Sequence, residues 1–522
     1  MISSRFLLLL VSCAHVAVTL AATLPLARDD NLSKRSRGKD ATVLILGGGV
    51  SGIIAAKTLT EKGITDFKII EARDELGGRL HSERFGEPGR QVTVEVGANW
   101  VQGIGGGEGQ GPENPIWTLV RKYGVETRES SYYSNIAMFD QTGPADFSDI
   151  FDEYEHDYTE LTVAAGARVE KNLVDTTART GYGLINVKPK TPHEMAVEYY
   201  TFDWEYAQTP EQSSWIASSW GNNYTFDVAS GGFSPDNQLS IDQRGFKTFI
   251  QKEAEFLAPH QVSLNSVVKT ITYSGEGVTV TLVDGTKLEA DYALVSFSLG
   301  VLQHDDVTWE PELPEWKTEA VQSMSMGTYT KIFMQFPKKF WFDTEIAIYA
   351  DRVRGRYPVW QSLDHDNYFP GSGVIFATVT GDWSERIEAL TDAEVQAELM
   401  DVLHTMYPDM TDIPEPTSIL FHRWWNDPLT RGSYSNWPAS FFQEHHDNLR
   451  ATVDERLWFT GEHCSQKYFG FLHGAWFEGR DAGQELAQCI NGGGCVHVRE
   501  HFEEVRNARP YKVDDYNAGR RK

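Results

Sequence analysis

The stretch 43–79 constrains this chain more than any other. Val43-Leu44-Ile45-Leu46 is a continuous apolar run, the pattern of a strand buried on both faces of a parallel sheet. Gly47, Gly49 and Gly52 follow directly in Gly-x-Gly-x-x-Gly spacing, and residues 53–59 carry apolar side chains at helical spacing. The first two glycines permit a tight turn and a close approach of backbone to a diphosphate. The third lets helix and strand pack together, and the helix N-terminus offers unpaired N–H groups to the phosphates. Residues 67–70 read as a second strand ending in Glu71, nineteen residues past Gly52, where a carboxylate accepts hydrogen bonds from a ribose 2′-OH. Such glycines alone mark only a turn. In register with strand, helix, strand and acidic end they predict a nucleotide site.

Gly77-Gly78-Arg79 add a second backbone loop and a planar guanidinium able to bond two phosphate oxygens at once. An acidic strand end followed by Gly-Gly-Arg is a flavoprotein arrangement, and it points to FAD rather than NAD.

At 522 residues the chain is long enough for two domains, and its net charge of −27 argues against a nucleic-acid partner while favouring cationic ligands. Arg5 before the apolar residues 6–11, with Thr19 and Ala21 beyond, predicts a secretory signal over residues 1–22. Lys34-Arg35 marks a candidate end to a pro-segment, residues 23–39. No later stretch is apolar enough to span a membrane. Export predicts an oxidising environment, hence a disulfide between Cys489 and Cys495 across a Gly-rich turn, leaving Cys464 as a buried free thiol. Sequons at Asn31 and Asn223 fit a secreted glycoprotein. His445-His446 has no further ligands at metal-binding spacing and reads as a solvated pair, so no metal is expected.

Along the chain, helices are expected near 114–123, 150–172 and 392–406, and after Gly245. Residues 181–192 read as a loop and 231–242 as irregular. Two strands fill 263–283, and Asp284-Gly285 is a hairpin turn. A second β-rich region covers 329–336 and 347–379, and residues 456–487 run strand, loop, helix.

Val96-Gly97-Ala98-Asn99-Trp100, Tyr329-Thr330-Lys331, Arg423-Trp424-Trp425, Ser435-Asn436-Trp437-Pro438 and Gly461-Glu462-His463 follow the nucleotide motif in order. With it, they make the chain resemble the flavin amine oxidase family, most closely its secreted polyamine oxidases. The resemblance implies an α/β fold: a discontinuous Rossmann-like FAD-binding domain in residues 40–130, 241–305 and 431–500, with an inserted α+β substrate-binding domain in 131–240 and 306–430. Residues 501–522 form a tail.

The same resemblance gives roles to single residues. Gly47, Gly49, Gly52, Glu71, Arg79, Val267 and Glu462 would hold FAD, with the Val267 backbone on the adenine side. Lys331 would reach the flavin N5 through a water and aid reoxidation by O2. Ser433 stands where a related branch carries the cysteine joined to the flavin, so the FAD should be non-covalent. Tyr434 and Phe471 would flank the substrate nitrogen, and Glu205 would line the substrate tunnel. Gln102 departs from the glutamate that secreted polyamine oxidases carry there, keeping shape but losing charge. The implied reaction is hydride transfer from a polyamine to FAD, imine hydrolysis and formation of H2O2. The rival readings are an alkaloid-like secondary amine as substrate, or an FAD-binding protein without turnover. Oligomeric state is open.

Overall fold

A computed structural model describes residues 41–493, apart from Ser131, together with Cys495. The expected signal, the pro-segment with Lys34-Arg35, Asn31 and the tail lie outside the described residues.

The strand Val43–Leu46 sits at the centre of a five-stranded, all-parallel sheet. In spatial order the strands are Val262–Ser263, Phe67–Ile70, Val43–Leu46, Tyr292–Val295 and Leu457–Phe459. Each member is short and apolar because both faces are covered, as a parallel sheet requires. On one face the helix Val50–Glu61 packs against the helix Leu472–Ile490, enclosing Ile53, Leu59, Leu294 and Leu486 in one core. The helix pair comes close because its contact is built from small residues: a Cβ on Gly483 would lie 2.9 Å from Thr58 Cβ and 3.0 Å from the Ala55 carbonyl oxygen.

A second sheet of seven strands is mixed. Its central strands Tyr329–Gln335, Val374–Thr380, Val359–Ser362 and Ile346–Ala350 run antiparallel in that order, and Ala137–Asp140 adds in parallel. Helices including Ser148–Glu170 and Asp392–Met406 accompany it. The molecule is thus a Rossmann-like α/β unit assembled from separated segments, with an α+β unit inserted between them.

Three local expectations change. The helix Ala178–Leu184 occupies the start of the stretch read as a loop, capped by Thr177 accepting a hydrogen bond from Thr180 N. Asn237–Ser240 is a strand within the stretch read as irregular; it pairs with both Trp100–Gln102 and Thr127–Glu129, so a boundary at residue 240 falls at the end of a strand whose partners both precede residue 131. His446 is buried rather than solvated: its ring stacks on Trp437 at 5.4 Å, and its Nε2 lies 2.9 Å from the Cys464 carbonyl oxygen.

Cys489 and Cys495 are joined by a disulfide, and Cys464 is a buried free thiol, as read from the sequence. Asn223 is a correction. It lies inside the helix Trp215–Phe226, 5% exposed, so this fold leaves no room for a glycan there. No helix among the described residues is long and apolar enough to cross a membrane, and no metal-binding cluster occurs among them.

Candidate active site

The ends of the parallel strands open into a cavity of about 640 Å³ that continues to the mixed sheet. Gly47, Gly49, Glu71, Arg79, Val267 and Glu462 border it, and so do Lys331, Ser433, Gln102, Glu205, Tyr434 and Phe471. Nearly every residue singled out in the sequence therefore faces one space. Gly52 does not: its place is structural, since a Cβ there would strike the Gly47 carbonyl oxygen.

The nucleotide end has the chemistry an FAD requires. The helix Val50–Glu61 begins at Gly49 without any side-chain cap, leaving its N-terminal N–H groups turned to the cavity. Glu71 accepts hydrogen bonds from Gly48 N at 2.6 Å and Arg73 N at 2.8 Å, and burial raises its carboxyl above the ordinary range. Val267, 38% exposed, borders the cavity while its carbonyl accepts from Val283 N at 2.9 Å.

Arg79 and Glu462 hold each other. Arg79 Nη1 donates to Glu462 Oε1 at 2.9 Å and to the Ser433 carbonyl at 2.8 Å. Glu462 also accepts from Ser435 N, Ser435 Oγ and Gly470 N at 3.2, 2.5 and 2.7 Å. Although burial opposes it, the Arg79 charge leads in holding this carboxyl below its usual range. Glu462 is an ionised fixture that ties the strand Tyr434–Asn436 to the loop before the last helix. The Ser433 hydroxyl is held by the backbone of Tyr329, accepting from its N at 2.9 Å and donating to its O at 3.0 Å.

Lys331 comes from the strand Tyr329–Gln335 and is 3% exposed. Its Nζ donates to Glu95 O at 3.1 Å, Gly97 O at 2.6 Å and Asn99 Oδ1 at 2.7 Å, and lies 5.6 Å from the Trp100 ring. An ammonium has three N–H groups, and here all three meet protein acceptors. Burial pushes its pKa down to about 7, with Glu95 opposing.

At the far end Glu205 stands in the turn Trp204–Tyr206, and its carboxylate meets Gln102 Nε2 at the long distance of 3.4 Å. Part of its surface faces the cavity, yet it is deep enough that burial pushes its carboxyl up to about 7. Tyr434 Oη donates to the Glu205 carbonyl oxygen at 2.9 Å. Around it Trp100, Tyr132 and Trp204 meet edge to face, with ring centroids 5.3 to 5.9 Å apart. Sequence reading missed Tyr132 and Trp204 as cavity walls; the density of aromatics in 199–206 marks Trp204 alone. Phe471 is stacked on His473 at 5.0 Å, and that ring's two nitrogens meet Asn114 and Thr225.

The family of flavin-containing amine oxidoreductases matches residues 50–487. The chain belongs to this family. Polyamine oxidase 7 of Oryza sativa subsp. japonica is 38% identical over 459 residues, 84% of this chain and 93% of that protein. Polyamine oxidase 6 of the same plant is 37% identical over 469 residues, covering 86% and 90%. Polyamine oxidase 1 of Zea mays is 36% identical over 492 residues, covering 88% and 93%. Among solved structures, a wild-type putrescine oxidase bound to putrescine superposes with a TM-score of 0.66 at 18% identity, over 85% of this chain and 98% of that one. That likeness speaks for the fold. The protein is an FAD-dependent amine oxidase, and the open helix N-terminus with Glu71 and the Arg79 loop has the chemistry to hold the nucleotide part of an FAD.

Proposed function

We propose that this amine oxidase acts on a polyamine of the spermidine or spermine kind, at a secondary nitrogen, with FAD held non-covalently. The observation that carries the substrate class is Glu205: a carboxylate deep in the cavity whose hydrogen-bond partner among the described residues is the Gln102 amide, at 3.4 Å. Such a group is costly to leave ionised, and a substrate ammonium would supply the missing partner. The chemistry that bound FAD supplies is acceptance of a hydride from the carbon beside nitrogen and reoxidation by O2 to H2O2; the imine then hydrolyses to aldehyde and amine.

The chain's own residues do the placing. Tyr434 and Phe471 present aromatic faces to the reacting amine, which must be neutral there for its lone pair to assist. Glu205 holds a distant ammonium and so sets which nitrogen reaches the reacting position. Lys331 holds the loop carrying Glu95, Gly97 and Asn99, and from that place beside the cavity would order the water at the flavin N5. The Ser433 hydroxyl has no thiol chemistry to offer a flavin methyl group, so acid or heat should release intact FAD.

Relatives named polyamine oxidases at 36–38% identity support this substrate class. The disulfide supports export to an oxidising compartment, and detecting the native protein outside the cell, with its thiols paired, is the corresponding test. A second reading, an alkaloid-like amine bearing one charge, is favoured by the neutral Gln102 beside a single carboxylate.

The deciding experiment is kinetic. Glu205→Gln should weaken spermidine several-fold, and more than a monoamine; Gln102→Glu should tighten it several-fold, a net of roughly 1 kcal/mol once desolvation is set against attraction. If both variants leave the spermidine KM and the preference over monoamines unchanged, the polyamine reading falls to the second one.

A further inference from the structure

The segment that presents Glu205 is held by a group of charges outside the lining of the cavity. The helix Pro192–Glu198 runs into a π-helical turn, Tyr199–Asp203, and then into Trp204–Tyr206, before Ala207 ends it with φ 55°. Glu198 and Asp203 are 0% and 1% exposed. Arg354, in the loop after the strand Ile346–Ala350, binds both: Nη1 to Asp203 Oδ2 at 2.6 Å, Nη2 to Asp203 Oδ1 at 2.8 Å and to Glu198 Oε2 at 3.0 Å. Arg179 adds bonds of 2.6 and 2.5 Å to the two Glu198 oxygens, and Tyr154 Oη donates to the same carboxylate at 2.8 Å. The Arg354 loop is itself pinned, since Trp383 Nε1 donates to the Arg354 carbonyl at 2.9 Å.

The spacing of these residues explains the unusual turn. Residues five apart on an α-helix point about 140° away from each other, so an α-helix would not aim Glu198 and Asp203 at one guanidinium. The wider i→i+5 turn brings them round to the same side. Two residues further on, about 200° around the axis, the chain faces the opposite way, and there stands Glu205. Clamping Asp203 outward therefore turns Glu205 inward. We propose that Arg354 is a positioning residue for substrate recognition, fixing the π-turn so that the Glu205 carboxylate faces the cavity. This rests on the reading of Glu205 as the seat of a distant substrate ammonium.

The test is a double-mutant cycle on the FAD-loaded enzyme with spermidine and a monoamine. Arg354→Met should raise the spermidine KM several-fold while kcat stays within about twofold, and should leave the monoamine KM nearly unchanged. In a Glu205→Gln background the same substitution should add less than about twofold, because the carboxylate it aims is gone; non-additivity of that kind is the mark of residues acting as a unit. Arg354→Lys, which keeps the charge but cannot form the two-pronged bond, should fall between, and it carries the test if Arg354→Met does not fold. An effect of Arg354→Met or Arg354→Lys that is equal in both backgrounds, or a loss of thermal stability with no change in spermidine KM, overturns the proposal. A flat response to Glu205→Gln alone overturns instead the reading it rests on.

Discussion

Lys331 and Glu205 are both buried groups whose pKa values are brought to about 7 from opposite sides. For Lys331, burial disfavours the ammonium, so protonation and its three hydrogen bonds are complete only below about pH 7. Lys331→Met should slow flavin reoxidation by about tenfold, equivalent to 1.4 kcal/mol of barrier, and should remove the dependence of that rate on pH through 7. Stopped-flow mixing of reduced enzyme with O2 measures it, and unchanged rates would leave Lys331 as a brace for residues 95–99 alone. For Glu205, burial favours the neutral acid, so the anion is lost as pH falls through about 7. The spermidine KM should therefore climb on the acid side, and Glu205→Gln should flatten that limb; a wild-type KM constant between about pH 6 and pH 8 would contradict it.

Between elements, the contact that matters most to the cofactor is the close pairing of Val50–Glu61 with Leu472–Ile490. Gly483→Ala adds a methyl group against Thr58 and Ala55, and overpacking of this kind costs about 1–3 kcal/mol. On the FAD placement proposed above, the N-terminus of Val50–Glu61 would meet the diphosphate, so displacing this helix should weaken FAD binding as well; a thermal melt and a flavin titration read the two effects. This helix was legible in the sequence because strand, glycines and apolar spacing all lie within thirty residues. The helix Asp392–Met406 was legible too, its Thr391 and Glu394 capping each other reciprocally. The π-turn before Glu205 was not. Nothing local in Tyr199-Tyr200-Thr201-Phe202-Asp203 announces it, since the force that bends it comes from Arg354, about 150 positions away. Asn223 and His446 misled for a related reason: a polar residue says nothing alone about which side of a helix the rest of the fold will cover. The strand Asn237–Ser240 escaped notice because its polar, short run borrows its partners from residues 100–102 and 127–129.

For the whole molecule, net charge acts in the same direction as the buried carboxyls and against the buried histidines. Burial raises the carboxyls of Glu95, Glu205 and Glu478 to about 7 from an ordinary 4.5. Each binds its proton more tightly folded than unfolded, so its contribution to stability falls as pH rises from 4.5 through 7. The depressed lysines Lys317 and Lys331 act oppositely only between about 7 and 10.5, whereas the buried histidines His463 and His473, pushed down by burial to about 4 and about 3, act oppositely below 6.5 and offset part of the carboxyl effect. Repulsion among charges summing to −27 also grows with pH in the lower window. The flavin-loaded protein should melt higher at about pH 5.5 than at about pH 7.5; differential scanning calorimetry at matched ionic strength decides it, and the reverse order would mean that other groups dominate.

The parallel sheet also sets a timetable for synthesis. Tyr292–Val295 is an apolar strand flanked on one side by Val43–Leu46 and on the other by Leu457–Phe459. A ribosome makes the first neighbour long before this strand and the second more than 160 residues after it. Throughout that interval a growing chain carries a bare, sticky edge, the kind of surface on which nascent proteins adhere to one another. Completion of this oxidase is thus a late event: a product cut short before Leu457 cannot close its sheet and is bound for chaperones or aggregates.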